Sequence, residues 1–308
     1  MGQKNLKEMR AGTKDVMRLL LLRAEEKKTK NNRSYMYLSL TDGETTISGN
    51  MWDTDTTTFM IPPGKVLECE IEAKEFNGSL CYTINHCMVT DEAPEPYIPS
   101  APVSTEKMYR EIYAFGEQLG PYSGTVCRIL EAYRDKLLIW GAGKSIHHNI
   151  RGGLLYHIYR MLMAAVKISK VYKLDNNLLY AGVILHDIGK VGELQCNEFG
   201  AAEYTVDGKM FGHLMIGAMI VDHFAMETGL PPEEKRLLTH LIVSHHGKKE
   251  YGTITIPSIP EAAILHHIDC IDSEYYQFEE ALKRLEPGSM SEKIFGLETN
   301  VYAPAHKV

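Results

Sequence analysis

The sequence predicts a multidomain protein of the β plus α kind, in which a small barrel of five short strands precedes a longer all-α domain. Three observations predict it. Side chains alternate at period two only within residues 12–90, a proline-rich stretch follows at 91–104, and beyond that the apolar residues recur at helical spacing. A chain of 308 residues with 44% apolar and 24% charged side chains has room for two globular domains. The boundaries read as a β domain over 1–92, a linker over 93–104 and a helical domain over 105–308.

The β elements follow in order. Val16 to Leu22 is a strongly apolar run, and Ser34 to Leu40 alternates polar and apolar residues. A turn at Thr41-Asp42-Gly43 leads into a third strand over Thr45 to Trp52. Asp53 to Met60 reads as a short helix closed by Pro62-Pro63-Gly64. Lys65 to Phe76 and Leu80 to Val89 form a hairpin around Asn77-Gly78, a dipeptide suited to tight hairpin turns. Five strands with one interposed helical piece fit a small Greek-key barrel of the OB type. The prolines in Asp91 to Ser104 mark the linker.

Helices are predicted over Thr105–Leu119, Tyr122–Leu138 and from Gly153 onward. One interruption is expected, where Glu203 to Val206 and Lys209 to Phe211 flank Asp207-Gly208 as a small hairpin. The helical part also concentrates histidine: eleven of the thirteen lie between His147 and His267. His157 shares a helix face with Leu154, Met161, Ala164 and Ile168. His186 lines up with Leu178, Gly182 and Leu185, and His245 continues the stripe Leu238, Leu241, Ile242 before Gly247. Asp269 sits mid-helix among Ala262, Leu265, His266 and Ser273. A single inward histidine is more often a satisfied core residue than a ligand. Several helices aiming His or Asp inward is a different case, because a buried uncompensated carboxylate costs several kcal/mol and calls for a cation. Imidazoles and carboxylates are ligand types that Mn, Fe, Zn or Co accept.

The series His157, His186-Asp187, His213, His245-His246, Asp269 resembles the HD superfamily pattern in its two-metal version. That resemblance implies one ion held by His157, His186, Asp187 and Asp269, with Asp187 bridging to a second held by His213, His245 and His246. It also implies Lys190 beside the metals, stabilising charge on phosphoryl oxygens; a lysine placed only to suit a helix end is the other reading. A wider resemblance covers nearly the whole chain. Lys144-Ser-Ile-His147-His148-Asn149 before Gly152 to His157, Thr205-Val-Asp-Gly-Lys with Gly212-His213, Val243 to Gly247, and Met51-Trp52-Asp53 are similar to the YhaM-type 3′→5′ exoribonucleases. Membership implies an OB-type barrel followed by an HD domain, and shortening of single-stranded RNA or DNA from the 3′ end to nucleoside 5′-monophosphates. It implies two divalent cations, with Mn²⁺ favoured over Fe, Co or Mg, and a homo-oligomer. Two departures stand out. Trp140-Gly-Ala-Gly replaces a proline-alanine stretch, and Gly153 stands where three-metal relatives carry an acid, so a third ion is not expected.

Substrate contacts are open between two readings. His147 and His148 either touch a substrate phosphate or cap a helix. Tyr37 and Trp52 either stack bases or, like Tyr35, Phe59 and Tyr82, belong to the barrel core. Lys28, Lys30 and Arg33 lie in a segment, Lys4 to Arg33, with ten basic against four acidic residues inside a chain of net charge −7. That segment is either an entry site for an anionic polymer or a solvated face. His266 and Asp272, one turn either side of Asp269, are candidates to support the ligands from behind. Gly143-Lys144-Ser145 is not a phosphate-binding loop, because Leu138 stands at the first glycine position and no strand precedes it. The six cysteines are scattered without a CxxC pair, which suits reduced thiols and a cytoplasmic protein. No apolar run is long enough for a transmembrane helix, and MGQKNLKEMR does not read as a signal peptide. The rival functions are a phosphohydrolase for cyclic dinucleotides or mononucleotides, a di-iron oxygenase, and a scaffold with a dead site. The barrel favours a polymeric substrate over the first, and the complete ligand set disfavours the last.

Overall fold

The computed structural model describes residues 5–76, 79–142, 150–197, 202–283 and 285–306. The first part is a closed five-stranded barrel: β1 (Lys14–Lys28), β2 (Ser34–Thr41), β3 (Thr46–Trp52), β4 (Val66–Phe76) and β5 (Ser79–Val89), in the order β1-β2-β3-β5-β4. The pairs are antiparallel except β3 with β5, which meet in parallel at Gly49 and Asn50. Alternation decides the faces. Met36, Leu38 and Leu40 fill the barrel, so Tyr35 and Tyr37 point outward. Strand β1 breaks the alternation because it is covered on both sides. Met17, Leu19 and Leu21 enter the barrel core, whereas Leu20 and Leu22 pack with Val66 against Tyr97 and Ile98. The β4–β5 hairpin forms as expected; Asn77-Gly78 itself lies outside the described residues.

Asp53 to Met60 is a turn and not a helix. The Asp55 carboxylate accepts from the backbone N–H groups of Thr57 and Thr58, both at 3.0 Å, and Phe59 N donates to the Asp55 carbonyl at 2.9 Å. The turn goes no further because Pro62 and Pro63 have no N–H to extend it. Phe59 then plugs the barrel and is core. The proline-rich segment is pinned at both ends. Tyr97 donates to Glu92 on the barrel side, and Pro99 and Ala101 bracket Arg151 through backbone hydrogen bonds on the other.

The second part is helical: α1 (Thr105–Gly116), α2 (Ser123–Ala132), α3 (Arg134–Leu137), α4 (Gly153–Ile168), α5 (Asn176–Leu185), α6 (Lys190–Glu193), α7 (Val206–Thr228), α8 (Pro232–Ser244) and α9 (Pro260–Leu282). Helix α5 reads NNLLYAGVIL, apolar on nearly every side, and is accordingly buried between its neighbours. Asp175 caps its start by accepting from Leu178 N at 3.1 Å. Proline opens α8 and α9 at their first turn, where its missing N–H costs nothing.

Two hairpins interrupt the helices. The first is formed by β6 (Leu194–Cys196) and β7 (Ala202–Tyr204), and not by residues flanking Asp207-Gly208. Those two lie in the first turn of α7, because the Thr205 hydroxyl accepts from Gly208 N at 2.8 Å and caps the helix there. The second, β8 (Met290–Ile294) with β9 (Thr299–Tyr302), stands where only helix was expected. Ser291, Gly296 and the β-branched Ile294, Thr299 and Val301 weaken helix formation in that stretch. No helix among the described residues is long and apolar enough to cross a membrane.

Candidate metal centre

Five helices deliver the histidines and aspartates to one place. His157 lies one turn into α4; His186 caps the C-terminus of α5, with Asp187 next and Lys190 opening α6. Helix α7 is broken at Gly212, whose φ of +68° a residue with Cβ adopts only under strain, and His213 starts the second half. His245 caps α8 and is followed by His246, while Asp269 projects from the middle of α9. A close approach of α6 to α7 makes this possible: a Cβ on Gly189 would lie 1.9 Å from the His213 carbonyl oxygen.

All seven residues singled out as ligands meet. Asp187 is the centre, with Oδ2 3.4 Å from His186 Nε2 and 3.9 Å from His157 Nε2, and Oδ1 3.5 Å from His213 Nε2 and 3.7 Å from His245 Nε2. Asp269 Oδ1 is 3.3 Å from His157 Nε2. His157, His186 and Asp269 form one ligand-type cluster and His213, His245 and His246 another, while Asp187 clusters with His186 and His245 between them. Lys190 Nζ lies 2.5 Å from Asp187 Oδ2 and is itself buried.

The tautomers follow from what stands behind each ring. His157 Nδ1 faces the Asp272 carboxylate at 2.7 Å, and His213 Nδ1 faces that of Glu193 at 3.1 Å. His186, His245 and His246 point Nδ1 at the carbonyls of Val183, Ile242 and Tyr251 at 2.9, 2.8 and 3.0 Å. Ionised carboxylates and carbonyls only accept, so all five Nδ1 atoms carry a proton, and Nε2 is the nitrogen that each ring turns toward Asp187 or its neighbours. His186 Nε2 is fully buried with no hydrogen-bond partner, and His213 Nε2 stands 3.1 Å from His246 Nε2. With both Nδ1 protons committed, that last pair is two lone pairs facing each other, which a shared cation reconciles and a hydrogen bond between neutral rings does not. The donor set therefore fits divalent metal ions.

Electrostatics point the same way. Burial pushes the Asp187 carboxyl up, but Lys190, His186 and His213 outweigh it and hold it well below the usual carboxylate range. Burial likewise opposes ionisation of Asp269, and the hydrogen bond to His157 overrides it. Burial, then neighbouring His186, depresses His245, and burial with His213 depresses His246, so both favour the neutral form that binds metal. Burial depresses His157 too, yet in the metal-free protein Asp269 and Asp272 raise it to about 9. Arg160 completes this side, with Nε 2.7 Å from Asp272 and Nη1 3.0 Å from Glu279.

The centre opens into a cleft of about 490 Å³ whose wall includes Lys190, Glu193, Tyr204, Tyr251 and Gln277. Of the supporting candidates, Asp272 backs His157, whereas His266 holds the His245 carbonyl at 3.0 Å and not a ligand ring. Glu193, Arg160 and Tyr251 were not anticipated. The spacing of Glu193 from Lys190 and of Arg160 from His157, three residues each, places both one turn from a site residue and was the available signal. Tyr251 acts through its backbone, which no side-chain pattern reports.

The barrel residues lie elsewhere: none lines this cleft among the described residues. Lys28, Lys30 and Arg33 are exposed around the β1–β2 turn. Trp52 is 47% exposed and lies 4.8 Å from the Tyr35 ring. Tyr37, beneath the Lys27 ammonium at 3.6 Å, lines a groove of about 670 Å³ with Lys7, Arg10, Asn50, Tyr82 and Glu292. His147 and His148 lie outside the described residues.

Comparison with known proteins matches residues 154–274 to the HD domain family. The chain is 31% identical over 297 residues to the 3′-5′ exoribonuclease YhaM of Oceanobacillus iheyensis, covering 92% of both proteins. It is 33% identical over 290 residues to YhaM of Bacillus subtilis, covering 90% of this chain and 91% of the relative. The figures for YhaM of Halalkalibacterium halodurans are 33% over 285 residues, 88% and 87%. Barrel, helical domain and clustered histidines thus lie within one continuous match, and the chain belongs to the YhaM family of 3′-5′ exoribonucleases.

Proposed function

We propose that the protein shortens single-stranded RNA, and DNA of the same form, from the 3′ end by hydrolysis to nucleoside 5′-monophosphates. The observation that carries this reading is the convergence of five Nδ1-protonated histidines on Asp187 and Asp269, in a chain that aligns from barrel to helical domain with named exoribonucleases. His157, His186, Asp187 and Asp269 would hold one divalent cation, and His213, His245 and His246 a second that shares Asp187. Mn²⁺ is the proposed ion, with Fe, Co and Mg as alternatives. When bound, two such ions supply Lewis-acid charge for a phosphodiester and a lowered pKa for water.

The chain's own groups do the rest. Asp187 keeps its negative charge while buried, which lets it face both clusters. Lys190 places an ammonium at the wall of the cleft, where it can neutralise charge growing on a phosphoryl oxygen. The supporting acceptors hold the rings so that no reorientation accompanies reaction. The barrel groove, with Lys7, Arg10, Tyr37 and Tyr82, offers cations for a phosphate backbone and rings for bases, a combination that tolerates any sequence. On this reading residues 1–92 form the strand-binding domain, 93–104 the connection and 105–308 the catalytic domain.

A 5′-labelled single-stranded RNA incubated with the protein and Mn²⁺ tests the substrate and the direction together. A ladder shortening one nucleotide at a time from the 3′ end, with 5′-monophosphates as the released product and circular RNA untouched, is expected. Cleavage of circular RNA, or turnover confined to cyclic dinucleotides, contradicts the reading.

A further inference from the structure

Behind the second ligand cluster stands the carboxylate of Glu193. Glu193 ends α6 and is 9% exposed. Its Oε1 accepts from His213 twice, from the backbone N–H and from ring Nδ1, both at 3.1 Å. His213 follows the break at Gly212, so its N–H is one of the orphan donors at the start of a new helical segment. One oxygen thus caps the segment and fixes the ring of the same residue.

The Glu193 backbone is held as firmly as its side chain. Thr205 N donates to the Glu193 carbonyl at 2.9 Å and the Thr205 hydroxyl donates to that of Gly192 at 2.8 Å, tying the end of α6 to the cap of α7. His245 and His246, the other members of that cluster, lean on neutral carbonyls. Among the described residues, Glu193 is therefore the charged acceptor behind this cluster, as Asp272 is behind the first.

We infer that Glu193 is the positioning residue that determines whether the second divalent cation is retained, by holding His213 as the Nδ1–H tautomer with Nε2 turned inward. The inference rests on the two-cation reading above. A carboxylate behind a ligating histidine raises its basicity and fixes its orientation, and loss of such a partner costs about 10–100-fold in metal affinity. That loss falls on one ion only, because Glu193 contacts none of the residues of the first cluster among the hydrogen bonds of the described residues.

Calorimetric titration of the metal-free protein with Mn²⁺ tests this without recourse to activity. The intact protein is expected to take up two ions. Glu193→Ala should keep one tight site and bind the second about 10–100-fold more weakly. Glu193→Gln, which keeps the size and a neutral acceptor oxygen, should fall between the two and guards against misfolding of the alanine variant. Asp272→Asn should weaken the other site, and a double variant with Glu193→Ala should weaken both. Spin resonance gives a second readout: the coupled signal of an Mn²⁺ pair should give way to that of isolated Mn²⁺ in Glu193→Ala at one equivalent excess. Two unchanged sites in folded Glu193→Ala and Glu193→Gln would overturn the role of Glu193 alone. Fewer than two ions on the intact protein would overturn the two-cation reading and the inference with it.

Discussion

Lys190 shows how one side chain separates a structural role from a chemical one. It is buried, lies 2.5 Å from Asp187 and borders the cleft, so it serves Asp187 when the site is empty and is placed to meet a phosphoryl oxygen when it is not. Removing one preorganised charge-stabilising donor typically lowers kcat by about 10²–10³. Lys190→Ala is accordingly expected to lose kcat by that order with KM changed far less, measured as steady-state release of 5′-monophosphate. A change confined to KM would reduce Lys190 to a binding residue. Single residues were also where the sequence was most legible. His157, His186 with the neighbouring Asp187, His245 and Asp269 stood out because a histidine or aspartate on an apolar helix face is costly unless something compensates it. His213 and His246 were reached only through the resemblance to the HD pattern. The groups behind them were harder to read. Asp272 shares a helix with Asp269, but Glu193 meets His213 across a hairpin, and Val183, Ile242 and Tyr251 act through carbonyls that every residue has.

At the scale of elements, the site depends on α6 and α7 lying almost in contact. Gly189 is the point of closest approach, and a Cβ there meets backbone at 1.9 Å from His213 O and 2.6 Å from Gly217 N, neither of which can rotate away. Gly189→Ala should cost at least the ~1–3 kcal/mol usual for overpacking and should displace His213, lowering Tm and Mn²⁺ affinity together. Gly212→Ala meets nothing within 4 Å and carries only the backbone strain of a region essentially reserved for glycine, about 1–3 kcal/mol, with no backbone atom to displace, so it should be the milder change. Equal melting temperatures for the two variants would show that the α6–α7 contact yields. Strand and helix periodicity located the barrel strands and the long helices because burying one apolar face outweighs every local preference there. Short polar segments escaped it. After Asp55 a single capped turn stopped short of Pro62-Pro63, at Thr205 a cap moved the helix start upstream of the expected one, and in 290–302 a hairpin formed with few buried residues to announce it.

Across the whole molecule, two surfaces have to cooperate. The cleft holds the ligand-type residues, and the barrel presents the exposed Lys28, Lys30 and Arg33 at one turn and the Tyr37 groove on its side. Arg23 of β1 pairs with Glu203 of the β6–β7 hairpin at 3.0 Å, and Glu292 of the C-terminal hairpin lines the barrel groove, so the two parts meet near both. If the barrel turn receives the strand, reversing Lys28, Lys30 and Arg33 to Glu should weaken RNA binding and flatten its salt dependence by about 0.7 per lost phosphate contact. Fluorescence anisotropy across a salt series measures both, and an unchanged slope would place strand entry elsewhere. The central claim is that the histidine–aspartate cluster is a catalytic metal centre, and Asp187 tests it most directly, because its two oxygens face His186 of one cluster and His213 of the other. Metal content and exonuclease activity of Asp187→Ala should be measured on the same preparation, alongside the intact protein with and without chelator. Abolished hydrolysis and lost metal, with the circular dichroism spectrum preserved, is the predicted result; full activity in Asp187→Ala, or in the intact protein stripped of metal, would contradict it.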